Sequence, residues 1–215
     1  MVIRHVGHAE FEITLEEGIR IVTDPYDASC GYPVEQIEAD VALVSHHHHD
    51  HDAVENLLGS PRVLEQAGNY TLSQDARVTA IHSFHDDQQG ARRGENLLFL
   101  LEAEGLRLAH MGDLGCELTE EQRALLRKVD ILMIPVGGFF TITAEQAKTI
   151  ADELEARVVI PMHYRTAYNA DWPIEPVEAF LKLYPADEIL MNAQALRIAR
   201  GDLECHPHVV VLGES

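Results

Sequence analysis

Positive charge and cysteine are both scarce in this sequence. Lysine and arginine number 16 against 36 aspartate and glutamate residues, which gives a formal net charge of −20 over 215 residues. Such a surface repels polyanions, so it argues against nucleic acids and anionic membranes as partners. The three cysteines, Cys30, Cys116 and Cys205, are odd in number and far apart, so they predict neither a disulfide framework nor a paired-thiolate zinc motif. We therefore expect a cytoplasmic protein.

Long apolar runs are missing as well. No stretch approaches the roughly 20 apolar residues that a membrane-spanning helix needs. The N-terminus has no basic region followed by an apolar stretch and a small-residue cleavage site, so we expect folded protein there and not a signal peptide. Hydrophobic residues make up 46% of the chain, and no linker, low-complexity tract or short repeat divides it. We expect a single domain over residues 1–215.

Apolar strand patterns alternate with amphipathic helical patterns, which predicts an α/β fold. Two helix starts carry a capping pattern, because Thr119 and Thr143 each precede a glutamine by three residues. These helices should extend to about residues 128 and 155. Further helices are predicted over 175–183 and, as a short one, over 52–58. Strands are predicted over 2–6, 11–14, 19–23, 41–44, 78–81, 96–102, 107–110, 131–134, 158–160 and near 197–198.

Many predicted strands lead directly into a side chain that can bind a metal ion. In α/β proteins, ligands usually bind at the carboxyl ends of the strands. If the strands lie side by side, the side chains that follow them should converge on one edge of the fold. The residues in this position are Asp24, His46, His82, His85, Asp113 and His163.

The densest group of such side chains lies in residues 45–52, Ser-His-His-His-His-Asp-His-Asp. In an extended segment, His46, His48 and Asp50 share one face and His51 turns to an adjacent position. Imidazole nitrogens together with carboxylate oxygens suit zinc, iron or manganese. A solvated loop is the alternative interpretation. It is disfavoured because five crowded imidazoles would repel one another on protonation unless something binds them.

The pattern His46-x-His48-x-Asp50-His51 resembles the signature of the metallo-β-lactamase-fold hydrolases. The resemblance covers nearly the whole chain, and its opening and closing motifs look most like the branch related to ascorbate-6-phosphate lactonase. It implies a four-layer αββα sandwich with a two-metal site on one edge. The supporting motifs are Gly7-His8-Ala9-x-Phe11, Thr23-Asp24-Pro25, His85, Gly112-Asp113-Leu114-Gly115, Pro135-Val136-Gly137-Gly138 and Ile160-Pro161-Met162-His163-Tyr164.

The family resemblance also implies a ligand set. The first ion would be held by His46, His48 and His85. The second would be held by Asp50, His51 and His163, and Asp113 would bridge the two. Zinc is the first candidate for both ions, with manganese or iron as alternatives.

Several further residues are candidates for the site, and some of them have two possible roles. His82 lies three residues before His85 and could replace it as a ligand, although His85 is preferred because it lies beyond the strand end. His8 and Asp24 are candidates for orienting the ligands through hydrogen bonds. Tyr164 and Arg165 directly follow a ligand and are candidates for contacting the substrate. The pair Arg92-Arg93 either binds an anionic group or lies in a solvated loop, and the solvated loop is preferred.

The resemblance, with its two-metal ligand set, predicts a hydrolase that uses a metal-bridging hydroxide on a small ester, lactone or phosphodiester. Asp50 would orient the hydroxide as the catalytic carboxylate. We expect a small-molecule substrate that can be anionic, with no nucleic acid or membrane partner, and the oligomeric state is left open. The alternative is a metal-binding or ligand-sensing protein on the same fold that performs no reaction.

Overall fold

The computed structural model describes residues 1–213, which form two β-sheets that pack face to face. The first sheet has six strands in the order β13-β1-β2-β3-β4-β5. It turns from antiparallel to parallel pairing at β3, so that β3, β4 and β5 run in the same direction. Its strands are β1 (Val2–Gly7), β2 (Glu10–Thr14), β3 (Arg20–Thr23), β4 (Val41–Leu43), β5 (Arg62–Leu64) and β13 (Leu196–Arg197).

The second sheet has eight strands in the order β12-β14-β11-β10-β9-β8-β7-β6. Neighbouring strands pair antiparallel from β6 to β9. From β9 they pair parallel through β10, β11 and β14 to β12. Its strands are β6 (Gly68–Thr71), β7 (Ala76–Phe84), β8 (Glu95–Ala103), β9 (Leu106–His110), β10 (Ile131–Pro135), β11 (Val158–Met162), β12 (Ile189–Ala193) and β14 (Val209–Leu212).

Apolar side chains fill the spaces between the layers. Phe11 and Phe99 are fully buried members of the cluster between the two sheets. A second cluster joins the outer face of the larger sheet to the helices α1 (Glu120–Leu126), α2 (Ala144–Glu153) and α3 (Glu178–Leu181). The outer face of the smaller sheet is covered by loops and by 3-10 turns, including Ala28–Cys30. These layers agree with the predicted sandwich, with short turns in place of long helices over the smaller sheet.

Both predicted capping boxes are present. Thr143 Oγ1 accepts the backbone N–H of Gln146 at 3.3 Å, and Gln146 Oε1 accepts the backbone N–H of Thr143 at 2.9 Å. Thr119 and Gln122 form the same reciprocal pair at the start of α1. Each box satisfies two N–H groups that have no partner inside the helix, which explains why the helices begin at these residues.

Thr143→Ala should therefore lower the free energy of unfolding by about 1 kcal/mol, because it removes the hydroxyl that accepts the Gln146 N–H. Urea unfolding followed by circular dichroism measures this change. Thr149→Ala is the matched control, since Thr149 is an exposed threonine inside the same helix and alanine is the better helix former there. Equal effects of the two substitutions would contradict a capping role for Thr143.

One helix prediction is wrong, and another is confirmed with shorter bounds. The segment 52–58 has only a three-residue 3-10 turn at Val54–Asn56, because Ala53 and Leu58 donate their N–H groups to distant carbonyls instead of to their own turn. The predicted helix 175–183 is α-helical only at Glu178–Leu181, since the Glu175 N–H donates to Gly137 O and holds the preceding chain extended. Within residues 1–213, no helix combines the length and apolarity that crossing a membrane requires.

The topology brings the chemically active side chains together. Asp24 and His46 follow β3 and β4 of the smaller sheet, and Asp113 and His163 follow β9 and β11 of the larger sheet. β3 and β4 are parallel neighbours, and β9 and β11 are parallel strands on either side of β10, so the four carboxyl ends lie at one edge of the sandwich, as the sequence predicted.

Candidate metal centre

The first group of potential ligands consists of His46, His48 and His85, whose ring nitrogens lie within 4.8 Å of one another. His46 Nε2 and His48 Nδ1 are 3.0 Å apart. The predicted extended conformation of this segment is wrong, because residues 46–51 form bends and a turn in which His51 donates its N–H to His48 O. The turn, not strand alternation, brings these side chains together.

The second group consists of Asp50, His51 and His163, joined by His8. His8 Nε2 lies 3.3 Å from Asp50 Oδ2, and His51 Nε2 lies 3.7 Å from the same oxygen. All four side chains are buried. Sequence reasoning assigned His8 a supporting position, and the structure places it within the group itself.

Asp113 lies between the two groups. Its Oδ2 is 3.1 Å from His163 Nε2 and 3.3 Å from His85 Nε2, and its Oδ1 is 3.3 Å from His51 Nε2. It thus contacts an imidazole of the first group and two of the second. This is the position that a bridging ligand must occupy.

The donor set fits divalent metal ions. A tetrahedral ion with bonds of about 2.0–2.1 Å sets neighbouring ligand atoms about 3.3 Å apart, and the contacts of Asp113 with the imidazoles have this spacing. Within the described part of the chain, Nε2 of His51 and Oδ1 of Asp113 are buried and have no hydrogen-bond partner. Buried polar atoms of this kind are rare, and a bound cation would satisfy them.

A hydrogen-bonded layer behind the centre positions its side chains. Asp24 is fully buried and accepts the backbone N–H of Ser45 at 2.7 Å and the Ser45 hydroxyl at 2.8 Å, while its Oδ2 lies 3.1 Å from His51 Nδ1. The Asp113 N–H donates to Asn96 Oδ1 at 2.9 Å, and Asn96 Nδ2 donates to a backbone carbonyl. Sequence reasoning missed Asn96, whose only signal is a polar side chain at the start of the apolar strand β8.

A cavity of about 430 Å³ opens above the two groups. Its apolar wall is formed by Phe140, Trp172 and Pro173, and Arg93 and Asp171 add one charge of each sign. The metal-centre side chains that reach it are His48, Asp50, His85, Asp113 and His163, and His49 also lines it. The volume suits a small organic molecule.

Comparison with known proteins assigns the family. Residues 2–163 match the model of the β-lactamase superfamily domain. The chain belongs to the metallo-β-lactamase superfamily. Its fold is also that of a crystal structure of a Thermotoga maritima protein, whose name assigns it to the Zn-dependent hydrolases of this superfamily. The two chains are 34% identical, the match covers 100% of this chain and 99% of the other, and the TM-score is 0.78.

Two further relatives bear the name of metal-dependent hydrolases. The protein of Thermococcus onnurineus is 30% identical over 202 residues, which cover 80% of this chain and 85% of its own length. The protein of Methanosphaera stadtmanae is 29% identical over 211 residues, which cover 81% of this chain and 88% of its own length. This metallo-β-lactamase-superfamily chain is thus an enzyme of the metal-dependent hydrolase class, whereas the lactonase-like branch stays a prediction.

The remaining predicted site residues of this superfamily member lie outside the cavity. His82 is exposed on β7, with its Nε2 3.3 Å from Glu95 Oε1, and it belongs to neither ligand group. Tyr164 is buried in the cluster between the larger sheet and the helices, and Arg165 is exposed. Neither residue lines the cavity, and their role as substrate contacts stays a prediction.

The backbone at the centre is strained at three non-glycine residues. His8, Asp24 and His163 have φ angles of 54°, 39° and 51°, in the left-handed region that L-residues rarely adopt. Each such residue costs on the order of 1–3 kcal/mol. Such conformations persist only where the surrounding structure holds them, and all three residues are buried.

Burial and charge set the protonation states of the centre. Burial lowers the pKa of His46 to about 3 and the pKa of His8 to about 4. Burial acts to raise the pKa of Asp113, but the neighbouring imidazoles, His163 first, hold it well below its ordinary value. The pKa of His51 is raised well above its ordinary value, because the surrounding carboxylates outweigh its burial. A cation bound at His51 would therefore displace a proton.

Proposed function

We propose that this hydrolase cleaves a small ester, lactone or phosphodiester with the aid of two divalent metal ions. The observation that carries the proposal is the convergence of two ligand groups on Asp113 at the floor of a cavity. His46, His48 and His85 would hold one ion, and Asp50, His51 and His163 the other. Bound ions would supply an acidified water and a Lewis acid for the oxygen that gains negative charge.

Asp50 is proposed as the catalytic carboxylate. It lines the cavity, and its Oδ2 lies 3.3 Å from His8 Nε2. Burial acts to raise the pKa of Asp50, but the charge of His51 and the contact with His8 hold it below its ordinary value, so the group is ionised at neutral pH. An ionised carboxylate held by His8 can orient the attacking water and accept a hydrogen bond from it.

The proposed substrate is a small molecule and not a nucleic acid. The formal net charge of −20 disfavours the binding of a polyanion, and the cavity is of small-molecule size. A cytoplasmic location and zinc as the first candidate metal, with manganese or iron as alternatives, belong to the same proposal. The three free cysteines support the location, and the imidazole-rich donor set supports the choice of metals.

Protein purified without chelator should contain close to two divalent ions per chain and should hydrolyse at least one chromogenic ester, lactone or phosphodiester. Elemental analysis and a substrate panel measure these properties. Chelator treatment should abolish the hydrolysis and lower the melting temperature, because the ions bind the folded state.

The metal content and the hydrolysis are measured again after reloading with zinc or manganese, and the two results distinguish the possible functions. Fewer than one ion per chain after reloading would contradict the two-metal proposal. Two ions per chain without hydrolysis across the panel would instead favour a metal-binding or ligand-sensing protein without turnover.

A further inference from the structure

We propose that Arg93 binds an anionic group of the substrate at the mouth of the cavity, beside the apolar wall of Phe140 and Trp172. The substrate would then be a small amphiphile with an apolar body and one carboxylate or phosphate group. This inference rests on the proposed function, because it names the substrate class of the same site.

Arg93 has no acidic partner in the part of the chain that the structure describes, although the chain is strongly acidic. Several other arginines lie beside carboxylates, for example Arg4 with Glu12 at 2.9 Å and Arg123 with Glu153 at 2.9 Å. Within residues 1–213, no carboxylate oxygen lies within 4.0 Å of the Arg93 guanidinium. Its charged group lies instead 5.5 Å from the centre of the Phe140 ring. The donors of this half-buried guanidinium remain available to a ligand that enters the cavity.

The loop that carries Arg93 is held in place by hydrogen bonds. The buried carboxylate of Asp86 accepts the backbone N–H groups of Gln88, Gly90, Arg92 and Arg93 at 2.8–3.0 Å. The N–H of His85 donates to Gly94 O at 3.1 Å and closes the loop next to a proposed metal ligand. Arg93 is therefore fixed at its base relative to the metal centre, which lowers the entropy cost of binding an anion.

The apolar wall runs from Arg93 towards the metal centre. The Phe140 and Trp172 rings meet edge to face with centroids 6.1 Å apart, and the Trp172 ring centroid is 5.2 Å from that of His8. A substrate lying along this wall would place its apolar body on the aromatic rings and its anionic group at Arg93. Asp171 is exposed and also lines the cavity. Its negative charge disfavours a substrate that carries more than one anionic group.

Trp172 makes a direct binding test possible, because it is the single tryptophan of the chain and lines the cavity. Phenylacetate and its neutral isostere phenylacetamide are the probes, and tryptophan fluorescence gives their dissociation constants. Both the metal-loaded and the chelator-treated full chain are titrated. Phenylacetate should bind wild type more tightly than phenylacetamide, and Arg93→Gln should weaken phenylacetate binding about tenfold or more in both metal states. Arg93→Lys should restore part of the affinity.

Arg92→Gln is the matched control, since it removes the same charge from the adjacent exposed position that does not line the cavity. A loss in Arg93→Gln no larger than in Arg92→Gln would overturn the inference. Equal affinities for the two probes, or no binding of phenylacetate, would also overturn it. So would a phenylacetate affinity that requires metal and does not change when Arg93 is replaced. The readout needs no turnover. Hydrolysis without an Arg93 effect would refute only the inference, whereas Arg93-dependent binding without hydrolysis would refute only the proposed function.

Discussion

Asp113→Asn is expected to weaken both metal sites and to lower kcat/KM roughly a hundredfold or more. Replacing groups that merely orient a ligand already costs about 10- to 100-fold, and Asp113 contacts imidazoles of both ligand groups. Asparagine keeps the shape of the side chain but cannot balance the charge of the ions. Metal content by elemental analysis and kcat/KM on the substrate found in the panel measure the two effects.

Asp52→Asn is the control for this substitution. It makes the same chemical change in the segment that carries four of the ligands, but Asp52 belongs to neither ligand group and faces His47 at 3.4 Å. It should retain two ions per chain. An Asp113→Asn variant with wild-type metal content and activity, and an unchanged circular dichroism spectrum, would refute the bridging position.

His85→Ala should have a large effect on metal content and activity, and His82→Ala a small one. His85→Ala should reduce the metal content towards one ion per chain and lower kcat/KM about a hundredfold or more, because it removes one of the three imidazoles of the first group. His82→Ala removes an exposed imidazole from the same strand region and should change both quantities little.

The two variants are compared by elemental analysis, by kcat/KM, and by the melting temperature with and without added zinc. Added zinc should raise the melting temperature of His82→Ala as it does that of wild type, and it should raise that of His85→Ala less. The reverse pattern would assign the ligand to His82.

The parts of the fold that local physics determines were predictable from the sequence. The capping boxes at Thr119 and Thr143 fixed the helix starts, because they depend on residues three positions apart. The strands leading to His46 and His163 were also predictable, since each is a short apolar run followed by polar residues. The convergence of their carboxyl ends required only the assumption that the strands are neighbours.

Features that depend on distant contacts were not predictable in this way. The strands β5, β6, β12 and β14 were missed; the edge strand β6 leaves alternate side chains to solvent, and β5 has only three residues. The turn at residues 46–51 was read as extended because its hydrogen bond gives no composition signal. Trp172 and Arg93 reach the cavity from loops far apart in the chain, so nothing local connects them to the metal centre.

The division of the proposed ligands between the two sheets has a consequence for how the enzyme is made. His46, His48, Asp50 and His51 follow a strand of the smaller sheet, whereas His85, Asp113 and His163 follow strands of the larger one. During synthesis about half the chain, on the order of ten seconds of translation, separates His51 from His163. A nascent chain therefore exposes a histidine-rich half-site long before its complement exists. If the proposed ligand assignment holds, neither ion can gain all of its ligands before both sheets have emerged and packed together, and we therefore expect metal loading to be completed late in folding.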